Sequence, residues 1–194
     1  MSILVVAATS AEAAYVARGL PLLVTGLGKT AAAARTAREL ARRTDVTEVV
    51  NIGTAGALRD GLEGLYVPGS VLNHDFSAEA VRLLGYDPEE LLELPGGDDI
   101  TLASGDLFVT DPAARDRLAR RAHLVDMEGY AVAWACRDAG VPCRLVKHVS
   151  DRADAGAMAW PELVDRSARE LGRWLDEHGA GQVPRDSGSG PALC

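Results

Sequence analysis

Residues 125–154 read V-D-M-E-G-Y-A-V-A-W-A-C-R-D-A-G-V-P-C-R-L-V-K-H-V-S-D-R-A-D. An apolar strand end leads into an Ala-rich helical run over residues 130–138. Gly140 and Pro142 then turn the chain, and a second apolar run stops at Ser150 and Asp151. Strand, helix, strand is the repeating unit of an α/β sheet. Such sheets hold ligands beyond their strand ends, where the strand fixes the backbone and the loop leaves side chains free. Two acids, Glu128 and Asp151, are thereby expected at one sheet edge.

The same alternation extends upstream. Residues 3–8 form a short apolar strand, and the Ala-rich residues 11–18 follow at helical spacing. Residues 22–25 predict a second strand, Gly26-Leu27-Gly28 a tight turn, and residues 29–43 a helix with Arg on its exposed face. Residues 46–52 and 65–72 predict further strands, the second interrupted by Pro68 and Gly69. An acidic, turn-rich surface excursion covers residues 77–99, and strand character returns over residues 101–109. Asp111-Pro112 opens a helix with Pro in its first turn, and residues 163–178 predict a final amphipathic helix. This pattern predicts one α/β domain over residues 1–179, three-layer α/β/α, its mixed or largely parallel sheet covered on both faces. Residues 180–194 are too poor in apolar side chains to offset their ordering entropy and are predicted to be disordered.

Composition removes several function classes. The chain has 194 residues, 47% of them hydrophobic, which suits a single globular domain. Lys and Arg number 20 against 28 Asp and Glu, a formal net charge of -8, and that sign repels phosphate backbones and anionic lipid surfaces. Neither nucleic acid nor membrane is an expected partner. No apolar run approaches the roughly 20 residues of a membrane helix, and the first residues lack the basic start and cleavage region of a signal peptide; the cytoplasm is the expected compartment. Cys136, Cys143 and Cys194 form no C-x-x-C pair, and His74, His123, His148 and His178 show no ligand spacing. No disulfide framework, metal or other cofactor is expected.

Gly26-Leu27-Gly28-Lys29-Thr30 ends like a phosphate-binding loop and precedes a helix. A P-loop needs another Gly five residues before the Gly-Lys pair, and Leu23 stands there. The dinucleotide fingerprint G-x-G-x-x-G meets Ala31 at its third Gly, an allowed variant that leaves this alternative open.

Five segments, in order, resemble the nucleosidases that cleave 5'-methylthioadenosine and S-adenosylhomocysteine, within the purine nucleoside phosphorylase superfamily. Thr25-Gly26-Leu27-Gly28-Lys29 is similar to the family's G-I-G-K turn, and the segment from Asn51 to Leu58, N-I-G-T-A-G-A-L, to its N-T-G-[ST]-A-G-x-L strand end. Ser104-Gly105-Asp106-Leu107-Phe108-Val109 resembles S-G-D-x-F. Asp126-Met127-Glu128 and the later V-S-D-R-A-D from Val149 resemble the E-M-E and I-S-D-x-A-D pair. The match spans about residues 3–175 and implies a nucleoside phosphorylase-like fold with a partly barrel-like central sheet, a small-molecule purine nucleoside as ligand, and a homodimer.

The chemistry of such a reaction assigns roles. An N-glycosidic bond breaks through a ribosyl cation while the departing purine takes up a proton. Asp151, beside Ser150, is placed as general acid toward purine N7, a role that requires its carboxyl to hold a proton near neutrality. Glu128 is expected to stay anionic at the N-terminus of the helix over residues 130–138, gripping ribose hydroxyls and steadying positive charge. Glu12, the sole acid between the first strand and Arg18, is the candidate base that activates water. Phe108 would stack on the purine, the Val109 backbone would read its edge, and Met127 would pack on the ribose. Ser150, Thr54 and Lys147 complete the substrate side by matched position. Taken without the resemblance, Phe108 and Met127 are core residues, Glu128 a first-turn acid, Asp151 a loop cap, Glu12 an exposed helix residue, and Asn51 and Thr54 loop-fixing residues.

Two alternatives stand beside hydrolysis. A phosphorylase on the same fold needs fixed cations for its phosphate; its R-x-G-[ST]-x-G is replaced here by a segment beginning at neutral Asn51, and its Gly-Asp-Pro plus Arg pattern after the first strand is missing. A non-catalytic purine-binding protein would not need Glu12, Glu128 and Asp151 together. The chain departs from the nucleosidase pattern in its short link from Arg18 to Thr25, in Lys147 for Arg, in His148, and in Asn73-His74-Asp75-Phe76, a segment expected to reach the 5' end of a substrate in its own or a neighbouring subunit.

Overall fold

The computed structural model describes residues 2–154, 157–158 and 160–178; the tail expected to be disordered lies outside them. Element order along the described residues is β1 (Ser2–Ala7), β2 (Leu22–Val24), α1 (Lys29–Arg42), β3 (Val46–Ala57), β4 (Leu65–Tyr66), β5 (Pro68–Asn73), α2 (Ala78–Leu83), β6 (Leu91–Glu93), β7 (Asp98–Ser104), α3 (Pro112–Ala119), β8 (Leu124–Asp126), α4 (Gly129–Asp138), β9 (Cys143–Asp151) and α5 (Trp160–His178).

Period-two alternation sets the layers. In β1, Leu4 and Val6 face one way and join Val46 and Val49 of β3 in packing on Ala32 and Leu40 of α1 and on Ala131, Val132 and Cys136 of α4. Val5 and Ala7 face the other way and, with Val50, Ile52 and Val146, meet Leu171 and Leu175 of α5. Both sheet faces are therefore covered, as the continuous apolar strands require. Each fully buried Leu on α5 contributes about 2 kcal/mol of burial.

β1 is flanked in parallel by β2 and β3, and β3 runs parallel to β9. At its far end β3 meets β8 in antiparallel register, and β8, β7 and β5 continue in parallel, with β6 antiparallel on β5. Only Val67 separates β5 from β4, which pairs antiparallel with β9. Pairing thus returns to its start through β3, β8, β7, β5, β4 and β9, giving a mixed sheet that is barrel-like at its centre.

Three local expectations differ. Residues 11–18 do not form an α-helix. Thr9 and Glu12 cap each other reciprocally, Glu12 N to Thr9 Oγ1 at 3.2 Å and Thr9 N to Glu12 Oε2 at 3.1 Å, but the turn decays into short-range bonds such as Val16 N to Ala13 O at 3.1 Å. Strand β7 stops at Ser104, leaving residues 105–109 as a loop. Conversely β3 continues to Ala57 through Gly53 and Gly56, glycines that let neighbouring side chains approach the strand: a Cβ at Gly56 would stand 3.0 Å from Ala153 Cβ and from Asp151 Oδ1.

Candidate active site

Register brings the separated motifs together. Gly56 of β3 is paired with Val125 of β8 on one side and with Asp151 of β9 on the other. Beyond these strand ends opens a cleft of about 400 Å³ lined by Glu12, Thr54, Phe108, Val109, Met127, Glu128, Ser150 and Asp151. Lys147 is the residue of the expected set that does not line it. Its side chain lies under the floor, 2% exposed, because both faces of β9 are covered here: Val146 and His148 meet α5, while Lys147 turns the other way, to Asn51 and Asp126.

Glu12 is 5% exposed, not a surface helix residue. Its carboxylate accepts from Thr9 Oγ1 at 2.9 Å, from Thr54 N at 2.9 Å and from Thr54 Oγ1 at 3.0 Å, which ties the loop after β1 to β3. Asp151 accepts from Ser150 Oγ at 2.7 Å and from Ala153 N at 2.8 Å. The second bond depends on a left-handed turn, since Ala153 has φ 49°, a conformation that costs a non-Gly residue on the order of 1 kcal/mol.

Glu128 takes its expected place at the start of a helix and finds its partner elsewhere. It stands at the N-cap of α4, yet its side chain makes no bond to that helix; Oε1 accepts instead from Gly28 N, at the N-terminus of α1, at 2.7 Å. Burial pushes its carboxyl up from 4.5 to about 7, and the nearby charge of Asp126 adds to the rise, while the Gly28 amide and Lys147 oppose it. Gly28 has φ 87°, open to glycine, and its Cβ would stand 3.0 Å from Asp106 Oδ1. The turn that imitates a phosphate loop thus spends its amides on carboxylates: Lys29 N donates to Asp106 Oδ1 at 2.7 Å. Lys29 Nζ donates to Asn73 Oδ1 at 2.7 Å and to Asp75.

Phe108 is 45% exposed on the loop after β7 and forms a wall of the cleft, not core. None of residues 73–76 lines this cleft; Asn73 and Phe76 border a second hollow with Lys29 and Trp134. His74 packs over Gly105, and its Nε2 finds no partner among the described residues. His148 is buried against α5, Nδ1 hydrogen-bonding with Ser167 Oγ at 2.9 Å.

Two residues were missed. Asp126, 7% exposed, lines the cleft, caps α4 by accepting from Gly129 N at 2.9 Å, and accepts from Ser104 Oγ. Its place two residues before Glu128 was the available signal. Trp160 opens α5, lines the cleft, and donates Nε1–H to Thr54 Oγ1 at 2.8 Å; no spacing in the sequence links those positions.

Fold and strand-end site define the class first. The family described as Phosphorylase superfamily matches residues 10–91 and 99–177, and the chain belongs to it. Within that superfamily it is 30% identical over 173 residues to the 5'-methylthioadenosine/S-adenosylhomocysteine nucleosidase of Halalkalibacterium halodurans, covering 76% of this chain and 74% of that one. An aminodeoxyfutalosine nucleosidase of Helicobacter pylori (strain J99) is 29% identical over 154 residues, 67% of each chain. The crystal structure of H. pylori 5'-methylthioadenosine/S-adenosyl homocysteine nucleosidase superposes with a TM-score of 0.80 at 24% identity, covering 91% of this chain and 97% of that one. The protein is accordingly a member of the purine nucleosidase branch, similar to the methylthioadenosine/adenosylhomocysteine nucleosidases. No helix among its described residues is long and apolar enough to cross a membrane.

Proposed function

We propose that this protein hydrolyses the N-glycosidic bond of an adenine-type nucleoside such as 5'-methylthioadenosine or S-adenosylhomocysteine, releasing the free base and a ribose derivative. The observation that carries this reading is the convergence of Glu12, Glu128 and Asp151, from three distant stretches of chain, on one cleft walled by Phe108. Asp151 gives its proton to purine N7 as the bond lengthens, with Ser150 and the Ala153 amide orienting the carboxyl. Glu128 binds the ribose hydroxyls and offsets positive charge on the ring in its ionised form. Glu12 takes a proton from water on the opposite face. Phe108 stacks on the base, Val109 presents backbone to its edge, and Met127 packs on the sugar.

Water is favoured over phosphate as nucleophile because the described lining, which holds Glu12, Asp126, Glu128 and Asp151, includes no Lys or Arg to fix a phosphate anion. A homodimer accompanies this reading: Leu83, Leu84 and Tyr86 are 85%, 74% and 70% exposed in one segment, an apolar surface suited to a second copy.

The test is a base-release assay over methylthioadenosine, adenosylhomocysteine, aminodeoxyfutalosine, adenosine and inosine, with and without phosphate. Adenine released at equal rates in both conditions is the expected result. Strict phosphate dependence would make the protein a phosphorylase, and absence of release from every nucleoside would leave a binding protein.

A further inference from the structure

Under the floor of the cleft lies a charged cluster that the scheme above does not use. Lys147 Nζ donates to Asn51 Oδ1 at 2.8 Å and pairs with Asp126 Oδ2 at 2.8 Å, both side chains of the ion pair being 2% exposed. Asn51 is itself fixed, its Nδ2 donating to Val6 O at 3.0 Å. Glu12 approaches from the other side: a Cβ at Gly53 would stand 3.2 Å from Glu12 Oε1 and 3.3 Å from Lys147 Nζ, so both groups converge over the same glycine. Asp126, Glu128 and Glu12 each favour the charged form of Lys147. Three acids from the β1 loop, β8 and the α4 N-cap thus surround one buried ammonium.

Burying several carboxylates without a counter-charge costs several kcal/mol per ion, and neutralisation by protonation is the usual escape. A site that needs Glu128 and Glu12 ionised therefore needs a cation nearby that does not itself occupy the cleft. We propose that Lys147 is a positioning residue, the internal counter-ion that Asp126 and Asn51 lock beneath the cleft so that Glu12 and Glu128 keep their working geometry and charge. This inference rests on the nucleosidase reading, and it replaces a contact between Lys147 and substrate.

The charged and titratable groups acting on Glu128 are Asp126 from β8, Lys147 from β9 and Glu12 from the β1 loop, together with the Gly28 amide of α1. Two substitutions push in opposite directions. Lys147→Met keeps the apolar stem and removes the cation, so Glu128 holds its proton to higher pH and the acid limb of kcat/KM moves up by about one pH unit. Asp126→Asn removes the competing anion, so the acid limb moves down by a similar amount. A lysine that serves folding alone would lower the melting temperature without producing opposite shifts.

The experiment is the pH profile of base release for wild type and both variants, with melting temperatures recorded alongside. Opposite displacement of the acid limb supports the inference. Limbs that stay in place, or move together, overturn it. Should Lys147→Met not fold, Lys147→Gln takes its place: an upward limb supports the inference, and an unmoved or downward limb overturns it. Should the wild type release no base, the functional reading falls separately. Carbon-13 titration of the Glu128 carboxyl in the same variants then decides the inference by the same criterion of opposite shifts.

Discussion

Floor and rim of the cleft are built differently. On the floor Glu12, Asp126, Glu128 and Lys147 are 5%, 7%, 7% and 2% exposed, and each has named hydrogen-bond partners on at least one other element. On the rim Leu27, Leu107, Phe108 and Met158 are 64%, 57%, 45% and 71% exposed and sit outside the α-helices and β-strands. Charged groups that act on a transition state work best when their dipoles are fixed beforehand, because no reorganisation is then left to the reaction. Apolar rim residues have the opposite requirement: they are covered only when a ligand or a second chain arrives. On the proposed function, rate belongs to the floor and affinity to the rim.

Removing a proposed catalytic carboxyl of the cleft is expected to have the largest effect. Asp151→Asn should lower kcat by about 10³-fold or more, since it removes the proposed proton donor, and Glu12→Gln should approach that loss. Adenine binding by the Asp151→Asn protein, followed by calorimetry, should persist; a variant that retains a tenth of wild-type turnover would place the proton donor elsewhere.

Glu128 offers a sharper test because function and stability pull apart there. Its carboxyl is held at about 7 in the folded protein against an ordinary 4.5. Below 4.5 both folded and unfolded chains are protonated and the fold carries no penalty. As pH rises through the window up to about 7, the unfolded chain releases a proton that the folded chain retains, and stability is lost. Glu128→Gln avoids that loss while its amide oxygen can still accept from Gly28 N. Its melting temperature at pH 8 should exceed that of wild type by about 3 °C or more, with the difference shrinking toward pH 4, while activity falls about 10²-fold. A variant less stable than wild type at pH 8 would mean that Glu128 contributes to the fold more than burial takes away.

The smallest effect belongs to the rim. Phe108→Ala should raise KM about 10-fold, equivalent to about 1.4 kcal/mol of stacking, with kcat changed less than KM. An equal fall in kcat would erase the division between floor and rim.

Much of the fold was legible because its signals are local. Alternating apolar runs placed the long strands, Asp111-Pro112 placed α3, whose Asp111 caps Ala114 N at 2.8 Å, and Ala-rich spacing placed α1, which buries Ala32, Thr36 and Leu40. Local signals misled at residues 11–18, where helical spacing was present but the Glu12 carboxylate is shared between Thr9 and Thr54, drawing the turn toward β3. They also ended β3 too early, because glycines that read as a loop are spacers where neighbouring side chains crowd the strand. At the site, the acids were found as residue types at strand ends. Lys147 was given to the substrate by position in a motif, whereas its ammonium is taken up by Asp126 and Asn51 beneath the cleft.

By itself the sequence determined which elements alternate, which acids stand at their ends and which family pattern they resemble, since periodicity, turn chemistry and motif order are properties of neighbouring residues. Only the tertiary structure decided which groups meet. The Gly28 amide holds Glu128 across 100 residues of chain, Lys147 meets Asn51 across 96, and Trp160 meets Thr54 across 106. Such pairs are set by strand register and layer packing, and it is burial in those layers that pushes Glu128 upward and places Lys147 beside Asp126 beneath the floor.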